Sequence, residues 1–139
     1  MLALWWFALP VSLPDAVDGS STDECLTMAD RPPADGPAAI ARLEQCSTLV
    51  PDDVELLADL AGAYEQAGRT ADAESAYRRT LAIDADHAAV HARLAALLLA
   101  RGAAAEARHH AETALRQQPN RRALTDLITR ASAAGAGLR

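Results

Sequence analysis

The chain has 139 residues, of which 50% are hydrophobic and only 4% aromatic, and its formal net charge is −6. This length allows one domain with a single core, and with so few aromatic side chains that core must be filled by Ala and Leu, which favours helices. The charge is unevenly shared, with a net −10 over residues 1–68 and +4 over residues 69–139, and such a dipolar chain argues against a general nucleic-acid binder, which needs a concentrated basic surface.

Residues 1–21 are predicted to form an apolar N-terminal arm followed by a linker. The apolar run is too short to cross a bilayer, because a helix needs about 20 apolar residues for that. One interpretation is an uncleaved arm in which Trp5, Trp6 and Phe7 anchor the protein in a partner or at a membrane interface, where Trp is favoured. A second is an export signal, although no Lys or Arg precedes the run, and a third is an unstructured tail. The sequence leaves these alternatives open.

Residues 22–51 have the pattern of a degenerate helical hairpin. Ser21 or Thr22 suits the cap of a short first helix, and two consecutive prolines end that helix. From Pro37 to Cys46 apolar residues recur at helical spacing. A second helix is therefore predicted before Pro51.

Residues 54–87 and 88–121 carry one pattern twice, with Gly68 and Gly102 lying 34 residues apart. Apolar residues at helical spacing lie on both sides of each Gly, so each copy is predicted to be a helical hairpin. The two glycines suit the residue just past a helix end, where a positive φ is common and only Gly adopts it cheaply. Small residues pair across each hairpin, which predicts a close approach of its two helices.

The last predicted helix covers residues 122–133. Asn120 is its expected cap, and Leu124, Leu127 and Ile128 lie on its apolar side. Residues 134–139 contain mostly Ala and Gly and are expected to fray as a tail.

The two copies resemble the tetratricopeptide repeat (TPR) family. The family's order of large, small and aromatic residues is matched by Leu57, Leu60, Ala61, Tyr64, Ala73 and Tyr77 in the first copy and by Leu94, Ala95, Ala107 and Pro119 in the second. Leu98 and Ala111 stand in the aromatic positions of the second copy, which is therefore expected to pack more thinly. The resemblance implies an all-α fold: a right-handed α-solenoid of about three TPR-like hairpins with a C-terminal capping helix, in a domain over residues 22–133.

The resemblance also implies a protein-binding module and not an enzyme. In TPR proteins the first helix of each hairpin lines a concave groove, and the corresponding residues here are Glu55, Ala58, Asp59, Gly62, Glu65, Gln66, Ala89, Ala92, Arg93, Ala96, Leu99 and Ala100. TPR relatives that bind the acidic C-terminus of chaperones use Lys and Asn on this surface, and this chain has neither there, so that partner is disfavoured. Small side chains suit a helix or an extended apolar segment of another protein subunit; the alternative is an Ala-rich surface that binds nothing.

Cys25 and Cys46 are the only cysteines. Aligning the degenerate hairpin with the two clear copies places them at the same level of two antiparallel helices. A disulfide is therefore predicted, and it would stabilise the hairpin with the weakest core. The alternative is a pair of buried free thiols.

The four histidines permit a metal-site interpretation, because His87 and His91 are one helical turn apart and His109-His110 lie on the paired helix. His91, however, falls on a packing position, which favours packing and surface roles for all four. No nucleophile motif, phosphate-binding loop or carboxylate pair is present. We therefore predict no catalytic residue, no cofactor and no metal.

These features favour an accessory or scaffold subunit of a bacterial membrane or periplasmic complex, held by the Trp5-Trp6-Phe7 arm and by the groove. The alternative is a soluble periplasmic TPR adaptor or chaperone whose signal is cleaved. A periplasmic or membrane-associated location agrees with a disulfide, since such bonds persist in oxidising compartments. Other protein subunits are the expected partners, with membrane contact through the N-terminus and no nucleic acid.

Overall fold

The computed structural model of the chain describes Cys25 and residues 36–137. Six α-helices and no strand lie within these residues: α1 (Pro37–Leu49), α2 (Val54–Gln66), α3 (Thr70–Ile83), α4 (Ala88–Ala100), α5 (Ala104–Gln117) and α6 (Arg122–Ala136). The arm with Trp5, Trp6 and Phe7 lies outside the described residues, as does the predicted leading helix of the first hairpin apart from Cys25.

The helices form an all-α helical repeat, which confirms the fold class predicted from the sequence. Each helix packs against the next one along the chain, most extensively within the pairs α2–α3 and α4–α5. These two pairs are the hairpins expected from the repeated pattern, and α6 packs on α5 and α4. The array is therefore continuous from α1 to the end of the described chain.

Two glycines set the tight turns inside the hairpins. Gly68 has a φ of 74° and Gly102 a φ of 89°, in the left-handed region that Gly adopts at little cost. After α2, the Arg69 N–H donates to the Tyr64 carbonyl at 2.9 Å, and the turn after α4 has the equivalent bond from Ala103 to Leu98. These bonds satisfy carbonyls at the helix ends, and the predicted role of both glycines is confirmed.

The core is built from Leu and Ala, as the composition predicts. Leu57, Leu94 and Leu98 are fully buried. The four small residues that pair across the hairpins are also fully buried, namely Ala61, Ala73, Ala95 and Ala107. With only a methyl group at these contacts, the two helices of each hairpin lie close together.

A disulfide joins Cys25 to Cys46, with their Cα atoms 5.4 Å apart. Both cysteines are buried. The bond agrees with the pairing predicted from the sequence, and it fixes position 25 against α1.

The final helix is longer than the sequence predicted. It runs from Arg122 to Ala136, three residues past the expected end, and Arg121 instead of Asn120 occupies the cap position. Ala has the highest helix propensity, and the alanines before and after Gly135 outweigh the cost of about 1 kcal/mol of a single helical Gly. No helix of the described chain combines the length and apolar character needed to cross a bilayer.

Candidate functional site

A cavity of about 890 Å³ opens between α1, α2 and the first half of α4. Its apolar wall includes Ile40 from α1 and Val90 from α4. Small residues from α2 and α4 also line it, notably Ala58, Gly62 and Ala89. Its volume falls within the range typical of ligand sites.

The cavity gathers many of the predicted groove residues and leaves others out. It is lined by Glu55, Ala58, Asp59, Gly62, Gln66, Ala89 and Arg93. Glu65 is absent from the lining, as are four residues of α4: Ala92, Ala96, Leu99 and Ala100. These four continue along α4, where Ala96 and Ala100 are exposed and Ala92 and Leu99 half-buried. The cavity therefore corresponds to the α2 part of the predicted groove and extends over only the beginning of α4.

The contribution of α1 to the cavity was not predicted from the sequence. Pro37, Ile40, Ala41 and Glu44 line the cavity. They were not expected there, because α1 was predicted to be the second helix of its hairpin and the groove was assigned to first helices. The sequence contains no pattern that marks these residues. Their role emerges only when α1 is packed against α2.

Glu44 is the acidic group on the α1 side of the cavity. It accepts a hydrogen bond from the Tyr64 hydroxyl at 2.7 Å and one from Arg69 at 3.2 Å. The Arg69 guanidinium also lies over the Tyr64 ring, 4.4 Å from its centroid. Burial and the bond to Glu44 raise the pKa of Tyr64 to about 12. The Tyr64 hydroxyl is thus held as a neutral donor, and the charge of Glu44 is balanced.

Glu55 and Glu65, at the two ends of α2, contact the next hairpin. Glu65 accepts a hydrogen bond from the Tyr77 hydroxyl at 2.8 Å, and Arg93 lies 3.5 Å from it. Burial and this hydrogen bond raise the pKa of Tyr77. Glu55 lies 3.5 Å from His87. Each of these two carboxylates therefore has a hydrogen-bond donor or a basic side chain as its partner.

Asp59 differs from the other acidic residues of the cavity. It is half-buried, and it has no hydrogen-bond or ion-pair partner among the described residues. Burial, followed by the negative charges of Glu55 and Asp53, raises the pKa of Asp59 above its usual value. The ionised form is disfavoured because neither water nor a cation fully stabilises it.

Away from this cavity, a buried carboxylate links the two repeats. Glu74 of α3 is only 5% exposed and accepts hydrogen bonds from Arg101 at 2.7 Å and from Arg78. Arg78 in turn donates to Glu106 of α5 at 2.7 Å. Three helical segments are thus joined by charge-assisted bonds. This network was not predicted from the sequence, because its members lie in different repeats.

The histidines form a pair within the second repeat. His91 is 6% exposed, and its Nε2 lies 2.9 Å from the Ala85 carbonyl, which can only accept, so Nε2 carries the proton. In neutral His91 the Nδ1 atom is therefore an acceptor, and the His110 Nδ1–H donates to it at 2.9 Å. Within the described ranges no group of three or more His, Cys, Asp or Glu side chains is arranged to hold a metal ion.

The family follows from comparison with known sequences. The family model described as tetratricopeptide repeat matches residues 34–79 and 66–131, most of the chain. The chain belongs to the tetratricopeptide repeat family. The TPR pattern identified from residues 54–121 is confirmed. A search of curated proteins found no match to the sequence of this chain.

Solved structures share this TPR fold. The first TPR of Spaghetti (RPAP3), bound to the HSP90 peptide SRMEEVD, has a TM-score of 0.68 and 21% identity, covering 84% of this chain and 91% of that one. MamA protein has a TM-score of 0.70 and 18% identity, covering 84% of this chain and 63% of its own. The TPR2B domain of yeast Sti1, in a complex with pHsp70, has a TM-score of 0.62 and 18% identity, covering 82% and 92%. At these identities the likeness concerns the fold.

Proposed function

We propose that this TPR protein binds another protein through the cavity between α1, α2 and α4, and that it is a non-catalytic accessory or scaffold subunit of a bacterial membrane or periplasmic complex. TPR domains mediate protein–protein interaction. The Spaghetti structure contains an HSP90 peptide, and the Sti1 structure is a complex with pHsp70. The observation that carries the proposal is Gly62, which lines the cavity from the middle of α2.

Gly62 lies in the middle of α2, where Gly destabilises a helix by about 1 kcal/mol relative to Ala. Its φ is outside the positive range that would require Gly. A Cβ placed on Gly62 would meet no atom within 4 Å. Neither the backbone nor the packing of the chain therefore requires Gly here, and an atom from outside can approach the α2 backbone closely.

The neighbours of Gly62 fit an apolar segment from a partner. Ala58 and Ala89 present short side chains to the cavity, while Ile40 and Val90 supply larger apolar contacts. A groove with a close backbone approach and apolar walls accommodates a helix or an extended segment. The occupant we propose is thus a segment of another protein and not a small metabolite.

The proposed location rests on the disulfide. Cys25 and Cys46 are joined in the structure, and such bonds persist in the periplasm and at cell surfaces but are rare in the cytosol. The apolar run with Trp5, Trp6 and Phe7 supports the same compartment as an arm or as an export signal.

Site-specific photocrosslinking in cells of the source organism tests the binding role. A photoreactive phenylalanine analogue is placed at Ala58, in the cavity, or at Ala105, an exposed position of α5 outside its lining. We expect a discrete crosslinked protein from position 58 only, and its loss when Gly62→Leu fills the groove. Equal crosslinking from both positions, or no effect of Gly62→Leu in a folded variant, would contradict the proposal.

Intact mass of the native protein, measured without reducing agent in membrane and soluble fractions, tests the finer proposal. A full-length membrane species, lighter than the reduced protein by the two hydrogens of a disulfide, is the expected result for a fixed subunit. A shortened soluble species would instead indicate the adaptor or chaperone with a cleaved signal.

A further inference from the structure

Each described acidic residue around the cavity has a hydrogen-bond or ion-pair partner except one. Glu44 is bonded to Tyr64 and Arg69, and Glu65 to Tyr77 and Arg93. Glu55 lies near His87. Asp59 also lines the cavity, yet it lacks any hydrogen-bond or ion-pair partner in the part of the chain that the structure describes.

The basic groups that line the cavity are already engaged. Arg69 bridges Glu44 and Asp72, at 3.2 and 2.7 Å. Arg93 lies against Glu65. His87 accepts a hydrogen bond from the Val90 N–H at the start of α4 and faces Glu55 with its other nitrogen. Among the lining residues that the structure describes, no basic group is left to pair with Asp59, so a bound molecule can supply that positive charge.

The position of Asp59 in the cavity wall indicates which chemical groups that molecule would carry. On α2, Asp59 stands between Ala58 and Gly62, where the small side chains leave the backbone accessible. A half-buried carboxylate is stabilised most by a donor that brings both a charge and hydrogen bonds. The apolar walls at Ile40 and Val90 favour hydrophobic groups beside that donor.

We propose that the protein segment bound in the cavity presents one Lys or Arg side chain to Asp59, with apolar residues on both sides of it. This inference rests on the proposed protein-binding role and specifies the chemistry of the partner. An acidic segment would place a carboxylate against Asp59 and Glu55 and is therefore repelled. The cavity thus selects the opposite charge from the acidic HSP90 peptide SRMEEVD in the Spaghetti structure.

Binding of three synthetic peptides tests the inference. Each is a short Leu- and Ala-rich peptide with a solubilising label, and they differ in one central residue, which is Lys, Gln or Glu. Affinity is measured by fluorescence anisotropy with the full chain, with Asp59→Asn, and with Asp126→Asn. Asp126 is an exposed acid of α6 outside the cavity lining, so Asp126→Asn is a control for the loss of one negative charge.

The expected result is about tenfold tighter binding of the Lys peptide than of the Gln peptide, because a hydrogen bond to a charged group is worth about one order of magnitude in affinity. The Glu peptide should bind most weakly. Asp59→Asn should remove the preference for Lys, and Asp126→Asn should keep it. Thermal unfolding of both variants confirms that they are folded.

Two results would overturn the inference. One is equal binding of the Lys, Gln and Glu peptides, or a preference for the Lys peptide that persists in Asp59→Asn. Asp59 would then not select segments by their charge. The other is no binding of any of the three peptides. In both cases the protein-binding role is judged separately, by crosslinking from position 58, so the failure of one proposal is distinguishable from the failure of the other.

Discussion

The Cys25–Cys46 bond provides the most quantitative prediction for stability. The two cysteines are 21 residues apart in sequence, and closing a loop of this length in the unfolded chain is worth roughly 3 kcal/mol at 25 °C in the chain-entropy model. Replacing both cysteines by Ala removes this contribution. For a domain of this size that loss corresponds to a decrease of about 10 °C in the melting temperature.

Thermal unfolding followed by circular dichroism measures this effect in the full-length protein. The unmodified protein is compared with the Cys25→Ala/Cys46→Ala variant, each with and without a reducing agent. Reduction should lower the melting temperature of the unmodified protein to near that of the variant, and it should leave the variant unchanged. A change of less than about 2 °C on reduction would refute the reasoning, since the bond would then constrain neither the folded nor the unfolded chain.

Three further predictions concern the glycines, the core and the histidine pair. Gly62→Ala should raise the free energy of unfolding by about 0.5–1 kcal/mol, because residue 62 is helical and has open space around it. Gly68→Ala should lower the free energy of unfolding by about 1 kcal/mol, because the φ of Gly68 is 74°. Changes of the same sign for both variants in urea unfolding would contradict these two assignments. Leu94→Ala should lower the free energy of unfolding by about 3 kcal/mol, since Leu94 is fully buried. Ile83→Ala, at a 44% exposed position, should change the free energy of unfolding by less than about 1 kcal/mol. If urea unfolding gave similar decreases for the two variants, Leu94 would not belong to the core. The pKa of His110 is lowered, first by burial and then by electrostatic coupling to His91 and His109, and these effects outweigh the opposing effect of Glu106. The unfolded chain therefore binds the proton more readily, and stability should fall as the pH drops below about 6.5. His110→Gln should weaken that dependence more than His109→Gln, at an exposed position, in urea midpoints measured across this range, and identical pH profiles for the two variants would count against it.

The repeats could be predicted from the sequence because their signals are local. Gly68 and Gly102 mark helix ends whatever the surroundings, and the spacing of Leu57, Leu60 and Tyr64 defines one helix face by itself. The end of α6 was misplaced because the tail contains both the best helix former, Ala, and a poor one, Gly, and the balance depends on several residues together.

The groove was predictable only in part. Its α2 side follows from the repeat pattern, so Asp59 and Gly62 were identified before the fold was known. Its other limits depend on how the hairpins stack, which no residue spacing encodes. Ile40 and Glu44 were therefore missed, while Ala96 and Ala100 were included although the cavity does not reach them.

The hydrogen bond between His91 and His110 was not predicted from the sequence for the same reason. His91 was expected to be buried, and it is. Its partner depends on the rotation of α5 about its own axis relative to α4. That rotation is a property of packing, and the sequence alone did not identify His110 as the partner.

The network of Glu74, Arg78, Arg101 and Glu106 has a mechanical consequence for the whole array. It joins the second helix of one repeat to both helical segments of the next through ionic contacts, and none of its members lines the cavity at α1 and α2. Apolar surfaces can slide over one another, whereas these directed bonds define one angle between the repeats. The angle between the repeats is thus held by contacts outside the cavity where a partner would insert. High salt, which weakens the exposed members of the network, should loosen that angle while each hairpin stays folded.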